Sequence, residues 1–439
     1  MKNTTNSGEN ILNRRLAALS SKHAFKYLTT LSGEIGVRVA GTPSSEQAAL
    51  WMADMLTKSG YYPTLERFPQ PVWTEKETTF TLEIGEKIPA ISACYGGVGS
   101  AGGKVISVGN PSTKQDLGGF DLTGNIAMVD GRDVYFDYPD NQQTELLINA
   151  GAVGLVYVAG KNQQGGLPYA YHNYRSWFGE GTPITIIISY KDCQRLKALA
   201  PLEAEIFVDA SVAWSESMNV IASLPGKTFP EDLVIVGAHQ DAAPTSPGAT
   251  DDGAGCAILL ELADAFMKTG RPERTVIFIL YGGHETGIHG SEDWLRRRLN
   301  QIQQIKACLN YDLYGMIEGT DRIAVLGSDG WLEVIQRSIS SFQRPVEVRI
   351  SAGGYDSMNY AALGIPSLNF GRIGAIRNHT SADTLEGTGP EGLETGLLYG
   401  MAVLSELVDD PEPLSIPPTP WTRLSQARKY NALWGWGIV

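Results

Sequence analysis

Long apolar runs are missing from this 439-residue chain: no stretch approaches the roughly eighteen apolar residues that a membrane-spanning helix requires. Basic charge is also short. Lys and Arg number 35 against 48 Asp and Glu, for a net charge of −13, which argues against nucleic acid or an anionic membrane surface as the main partner. Cysteine is scarce, and Cys94, Cys193, Cys256 and Cys308 fall at no metal-ligand or disulfide-framework spacing. Cys256 and Cys308 lie in apolar contexts and read as buried thiols. The opening MKNTTNSGENILNRRLAALSS carries no apolar core of the kind a secretory signal needs, so a cytoplasmic chain is expected. With 43% apolar and 19% charged residues, wholesale disorder is excluded, and the length suits about two to three domains.

What is present is a dense set of ionisable residues around two short apolar runs. LVIV at 233–236 and TVIFIL at 275–280 are β-branched and bounded by Gly, as buried strands of a parallel sheet are. Just beyond the first stand His239 and Asp241; just beyond the second, His284 and Glu285. Open α/β sheets bind their ligands at such strand exits. Between the runs, Asp251 and Asp252 precede an apolar-periodic stretch, 253–267, predicted as a helix, and carboxylates suit a helix start. From residue 218 onward strands and helices alternate, which predicts a doubly wound, mainly parallel sheet.

The flanking segments differ in texture. Helices are expected over 11–32 and 44–58, with Arg38 in the Gly-rich loop between them as a candidate lining the site. From about 73 to 214, short alternating apolar runs separated by Gly, Asn and Asp turns predict a compact β-rich insert, with His172 as its one histidine and no cluster of ligand-type residues. The domain plan is therefore 1–72 with 215–439, interrupted by the insert at 73–214. The tail, 409–439, holds an extended proline run and a Trp-rich end expected to pack on the body or across a homo-oligomer contact.

Five residues form a candidate metal set: His239, Asp251, Glu285, Asp312 and His379, each at or near a predicted strand exit. The segments HxD at 239, PGATDDGAG, HETGIHGS, NYDLYG and HTSADT, with the earlier GVRVAGT, resemble the co-catalytic dizinc aminopeptidases, relatives of glutamate carboxypeptidase and transferrin receptor. The insert, with AGAVGLVYV and TPITIIISYKD, resembles a protease-associated domain. The resemblance implies a zinc exopeptidase-like α/β fold and two divalent ions, zinc expected, with manganese or cobalt also suited to the ligands. It implies that His239 and Asp312 bind one ion, Glu285 and His379 the other, and that Asp251 bridges. Asp241 would hydrogen-bond His239 and fix its tautomer, and Asp383 is a candidate partner for His379.

The sequence departs from that family at one chemically central position. Where the family places an acidic general base before the metal-ligating Glu, this chain has His284. Imidazole can accept and return a proton near neutral pH, so a proton shuttle is the first reading, with an added ligand or substrate contact and a non-catalytic site as alternatives. Asn378 stands where several relatives carry an oxyanion-stabilising Tyr. Tyr355, Asp356 and Asn359 are candidate substrate contacts, and Arg372 and Arg377 candidate holders of a substrate carboxylate. His289 reads as packed or surface. The expected activity is cleavage of an amide bond by a dinuclear-metal hydrolase, most simply an aminopeptidase acting on a peptide. The alternatives are an amidohydrolase of a small amide or N-acyl amino acid, and a binding or scaffold protein without turnover.

Overall fold

The computed structural model describes residues 5–130, 141–161, 166–170, 181–199, 201–374 and 377–433. His172 and the last six residues, with Trp434 and Trp436, lie outside them. The chain divides into two units: Met1–Gln70 with Ser215–Ala375 and Asp383–Val439, and Pro71–Trp214 with Ile376–Ala382.

In the larger unit the central strands Ser367–Ile373, Ile305–Tyr311, Phe229–His239 and Arg274–Tyr281 lie side by side in that order, all parallel. Residues 220–224, from the long strand Glu203–Leu224, pair antiparallel with Arg274–Tyr281. At the other side Thr320–Leu326 pairs antiparallel with Ser367–Ile373 and parallel with Val346–Ile350. Side chains alternate across the sheet. Val234, Val236 and Ala238 join one core with Phe278 and Leu280, while Ile235 and Ile279 join another with Trp294, Leu295 and Tyr360. Covering both faces is what makes these strands read as unbroken apolar runs. The helix Ala254–Thr269, buried from Ala254 through Phe266, crosses between Phe229–His239 and Arg274–Tyr281 and packs beneath Pro390–Val408.

Register fixes where the chemistry can lie. Tyr281 sits opposite His239, and Tyr311 opposite Ala238, so three consecutive parallel strands leave the sheet at one level. Helix boundaries differ from expectation in two places. The single helix expected over 11–32 is broken at Leu19 and Ser20. The Ser20 hydroxyl accepts the His23 amide at 3.2 Å and its own amide donates to Glu261 at 2.7 Å, so a fresh helix starts at Ser21. The regular helix after the Asp pair starts at Ala254, because Asp251 and Asp252 have non-helical backbone angles. The tail helix Trp421–Leu433 packs on its own unit: Ala427 is buried with Met358 and Ala361, and Asn431 donates to Asn359 at 2.7 Å.

In the second unit, Gly99–Gly109, Ile126–Val129, Gly154–Val158 and Ile184–Ile188 form a parallel run. Residues 203–208 and Ala90–Ser92 pair antiparallel at its two sides, and the helices Asn141–Asn149 and Tyr190–Leu199 belong to it. It is thus more α/β than the alternating texture of its sequence suggested. No described helix is long and apolar enough to cross a membrane.

Candidate metal centre at the strand exits

His239 is the last residue of its strand and is fully buried. Its Nδ1 lies 3.1 Å from the Asp241 backbone carbonyl, and its Nε2 lies 3.0 Å from Asp251 Oδ1 and 3.8 Å from Asp312 Oδ1. Both ring nitrogens therefore face acceptors. That is tenable only if Nε2 meets a positive species, either a second proton or a metal ion. Burial opposes the imidazolium, but the Asp251 and Asp312 carboxylates outweigh it and hold the pKa well above the ordinary value.

The carboxylates are held by backbone. Asp383 accepts from the Thr250 amide at 2.9 Å, the Thr250 hydroxyl at 2.7 Å and the Asp251 amide at 3.1 Å, which fixes the turn that presents Asp251. Asp252 accepts from the Gly255 amide at 3.0 Å and the His239 amide at 3.2 Å, tying the helix start to the strand end. Asp241 accepts from the amides of His284 at 3.1 Å and Glu285 at 3.0 Å. Ligand atoms of His239, Asp251 and Glu285 lie within 4.8 Å of one another, as do those of His239, His284 and Asp312. Burial raises the pKa of Asp241, Asp252 and Asp312, and Asp383 is pushed up to about 6 by burial and then by the Asp251 charge. Buried carboxylates facing imidazole nitrogens are costly without compensating positive charge. The donor set fits a divalent cation.

The structure reassigns several residues. Asp241 does meet His239, but through its carbonyl; its carboxylate is 3.9 Å from Nδ1 and is spent on the turn carrying His284 and Glu285. Asp383 holds Thr250 and Asp251. Arg38 is a buried staple, donating to the carbonyls of Gln240, Leu31, Gly36, Pro247 and Gly248. Arg372 is occupied by Asp321 at 3.0 Å and by the carbonyls of Ile317 and Glu318, and Asn359 by Ser291 and Asn431. His289 is packed, its Nε2 3.1 Å from the Thr286 carbonyl. Tyr355 does lie near the cluster: burial, then the Asp312 charge, pushes its hydroxyl up to about 12. Arg377, Asn378 and His379 belong to the second unit, where His379 Nδ1 lies 3.0 Å from the Tyr169 carbonyl. Asp356, expected as a substrate contact, is instead the partner of His284. The His284 Nδ1 is 2.9 Å from Asp356 Oδ2, its Nε2 is 3.6 Å from Asp312 Oδ2, and its ring stacks on His239 with centroids 3.9 Å apart.

Residues 219–396, which contain all the strand exits described, match the model of Peptidase family M28. An aminopeptidase of Pseudomonas aeruginosa (strain UCBPP-PA14) is 27% identical over 302 residues, covering 64% of this chain and 54% of that protein, so the match spans about half the relative's length. Aminopeptidase YwaD of Bacillus subtilis (strain 168) is 26% identical over 365 residues, 80% of this chain and 75% of that protein. Among solved structures, BSAP, a zinc aminopeptidase from Bacillus subtilis, superposes with a TM-score of 0.73 at 22% identity, covering 90% of this chain and 97% of that one. The α/β architecture is thus shared with that fold, and the segment that carries the strand exits is similar to Peptidase family M28.

Proposed function

We propose that the protein is a dinuclear-metal hydrolase of amide bonds, most simply an aminopeptidase, in which His284 takes the place of the Glu general base. The observation that carries this reading is the buried convergence of His239, Asp251, Glu285 and Asp312 at three adjacent strand exits and one helix start. Relatives named aminopeptidase support the reaction class, and the zinc named for BSAP supports zinc as the ion. His239 and Asp312 would hold one ion and Glu285 the other, with Asp251 between them. His379 is the remaining ligand that the sequence resemblance implies.

Bound ions would polarise the scissile carbonyl and lower the pKa of an attacking water. The chain's own residues do the rest. The Asp241 carbonyl keeps the His239 proton on Nδ1 and so presents Nε2. The Asp241 carboxylate fixes the backbone of His284 and Glu285, and Asp383 fixes that of Asp251. Preorganised ligands of this kind need no rearrangement to bind. His284 offers a proton acceptor beside Asp312.

The exchange of Glu for His at the base supports a second reading, an amidohydrolase of a small amide or N-acyl amino acid. Turnover on aminoacyl nitroanilides against N-acyl amino acids separates the two. Cleavage of the former is expected; cleavage of the latter alone would replace the aminopeptidase by the amidohydrolase. For the second unit we propose a protease-associated module, on the resemblance of its sequence.

A further inference from the structure

The partner of His284 comes from far along the chain. Asp356 is fully buried and stands immediately before the helix Ser357–Ala362, where an Asp ordinarily caps by accepting a main-chain amide. It makes no such capping bond. Its Oδ2 meets His284 Nδ1 at 2.9 Å instead, and its buried Oδ1 has no hydrogen-bond partner among the described residues. A buried carboxylate that forgoes its cap for one imidazole N–H is placed for that imidazole. The short helix behind it is itself held, since Asn359 donates to Ser291 at 3.0 Å and accepts from Asn431 of the tail helix at 2.7 Å.

We propose that Asp356 is the positioning residue of an Asp–His dyad: it keeps the His284 proton on Nδ1, so that Nε2 is the proton acceptor facing Asp312. By distance alone, His284 could instead share an ion with His239 and Asp312, whose ligand atoms lie within 4.8 Å. Ring orientation argues against that. An imidazole lone pair lies in the ring plane, and the two rings are only 7° from parallel with centroids 3.9 Å apart. Their lone pairs run side by side and do not converge on one point, so the two imidazoles do not share an ion.

The chemistry rests on the hydrolase reading. As a water oxygen bonds to the carbonyl carbon, Nε2 takes one proton from it. As the C–N bond breaks, Nε2 returns that proton to the departing nitrogen. Amide and water become carboxylic acid and amine, the imidazole is regenerated, and Asp356 accepts from Nδ1–H throughout.

The test is the ring's tautomer, read by long-range proton–nitrogen-15 NMR on the full chain, metal-free and zinc-loaded, with His284 assigned by difference from His284→Gln. The Nδ1–H form is expected in the unaltered protein and its loss in Asp356→Ala. That variant should also lose about 10- to 100-fold in kcat, with KM and metal content unchanged. Asp356→Asn, which keeps an acceptor oxygen, should fall between. An Nε2–H tautomer in the unaltered protein overturns the dyad, as does an Asp356→Ala protein with unchanged tautomer and kcat. Should Asp356→Ala fail to fold, the tautomer of the unaltered protein and of Asp356→Asn decides. If the unaltered protein cleaves no amide, the hydrolase reading falls, while the tautomer still decides whether Asp356 positions His284.

Discussion

Both units of this chain build a run of parallel strands with accompanying helices, yet among the described residues only the larger gathers a cluster of ionisable side chains from several strand exits. In the larger unit the strands end at His239, Tyr281 and Tyr311, followed by Asp241, by His284 and Glu285, and by Asp312. In the second unit the strands end at Val129, Val158 and Ile188, followed by Asp130, Ala159 and Ser189. Asp130 is already bonded to Ser107 and paired with Lys197, and Ser189 caps its helix through Asp192. Parallel topology therefore supplies a place for chemistry, and the residues at the exits decide whether the place is used.

That contrast is broken most severely at Asp251. Asp251→Ala should empty the centre of metal and cut turnover beyond the roughly 100-fold that loss of a supporting partner produces; metal analysis and kinetics on the purified variant check both. Next, His284→Glu should lower kcat by about 100-fold, the low end of what a general base contributes, because a second carboxylate would sit against buried Asp356. Adding Asp356→Asn should recover part of the loss, and a faster single variant would count against the dyad. Asp383→Ala frees the turn that presents Asp251 and should weaken metal affinity by about 10- to 100-fold, read by competition with a chelator. The smallest effect belongs to the second unit. Lys197→Ala removes a pair in which the lysine is 38% exposed, so denaturant unfolding should show a loss of about 1 kcal/mol or less, with metal content unmoved.

Much of the centre was legible because its residues sit within a few positions of strands that announce themselves by apolar runs. His239, Glu285 and Asp312 follow that rule, and Asp251 stands just before the apolar-periodic helix Ala254–Thr269. What escaped is what lies far apart in sequence or is carried by backbone. His284 and Asp356 are 72 residues apart, as Asp251 and Asp383 are 132 apart, and no local pattern couples them. The tautomer of His239 is set by a carbonyl, which has no letter in the sequence. Arg38 reads as a loop cation until its five carbonyl partners are seen, and the break at Ser20 turns on a tertiary bond to Glu261. The insert hid its parallel core because its strands are only four to five residues long at three of the four positions, and Gly-rich turns dominate the pattern.

The most direct measurement is metal content per chain on freshly purified protein, taken together with turnover on aminoacyl nitroanilides and small amides. Two divalent ions per chain with amide cleavage is the predicted result. No metal and no turnover, even after zinc, manganese or cobalt is added back, would contradict the hydrolase and leave the fold as a binding scaffold.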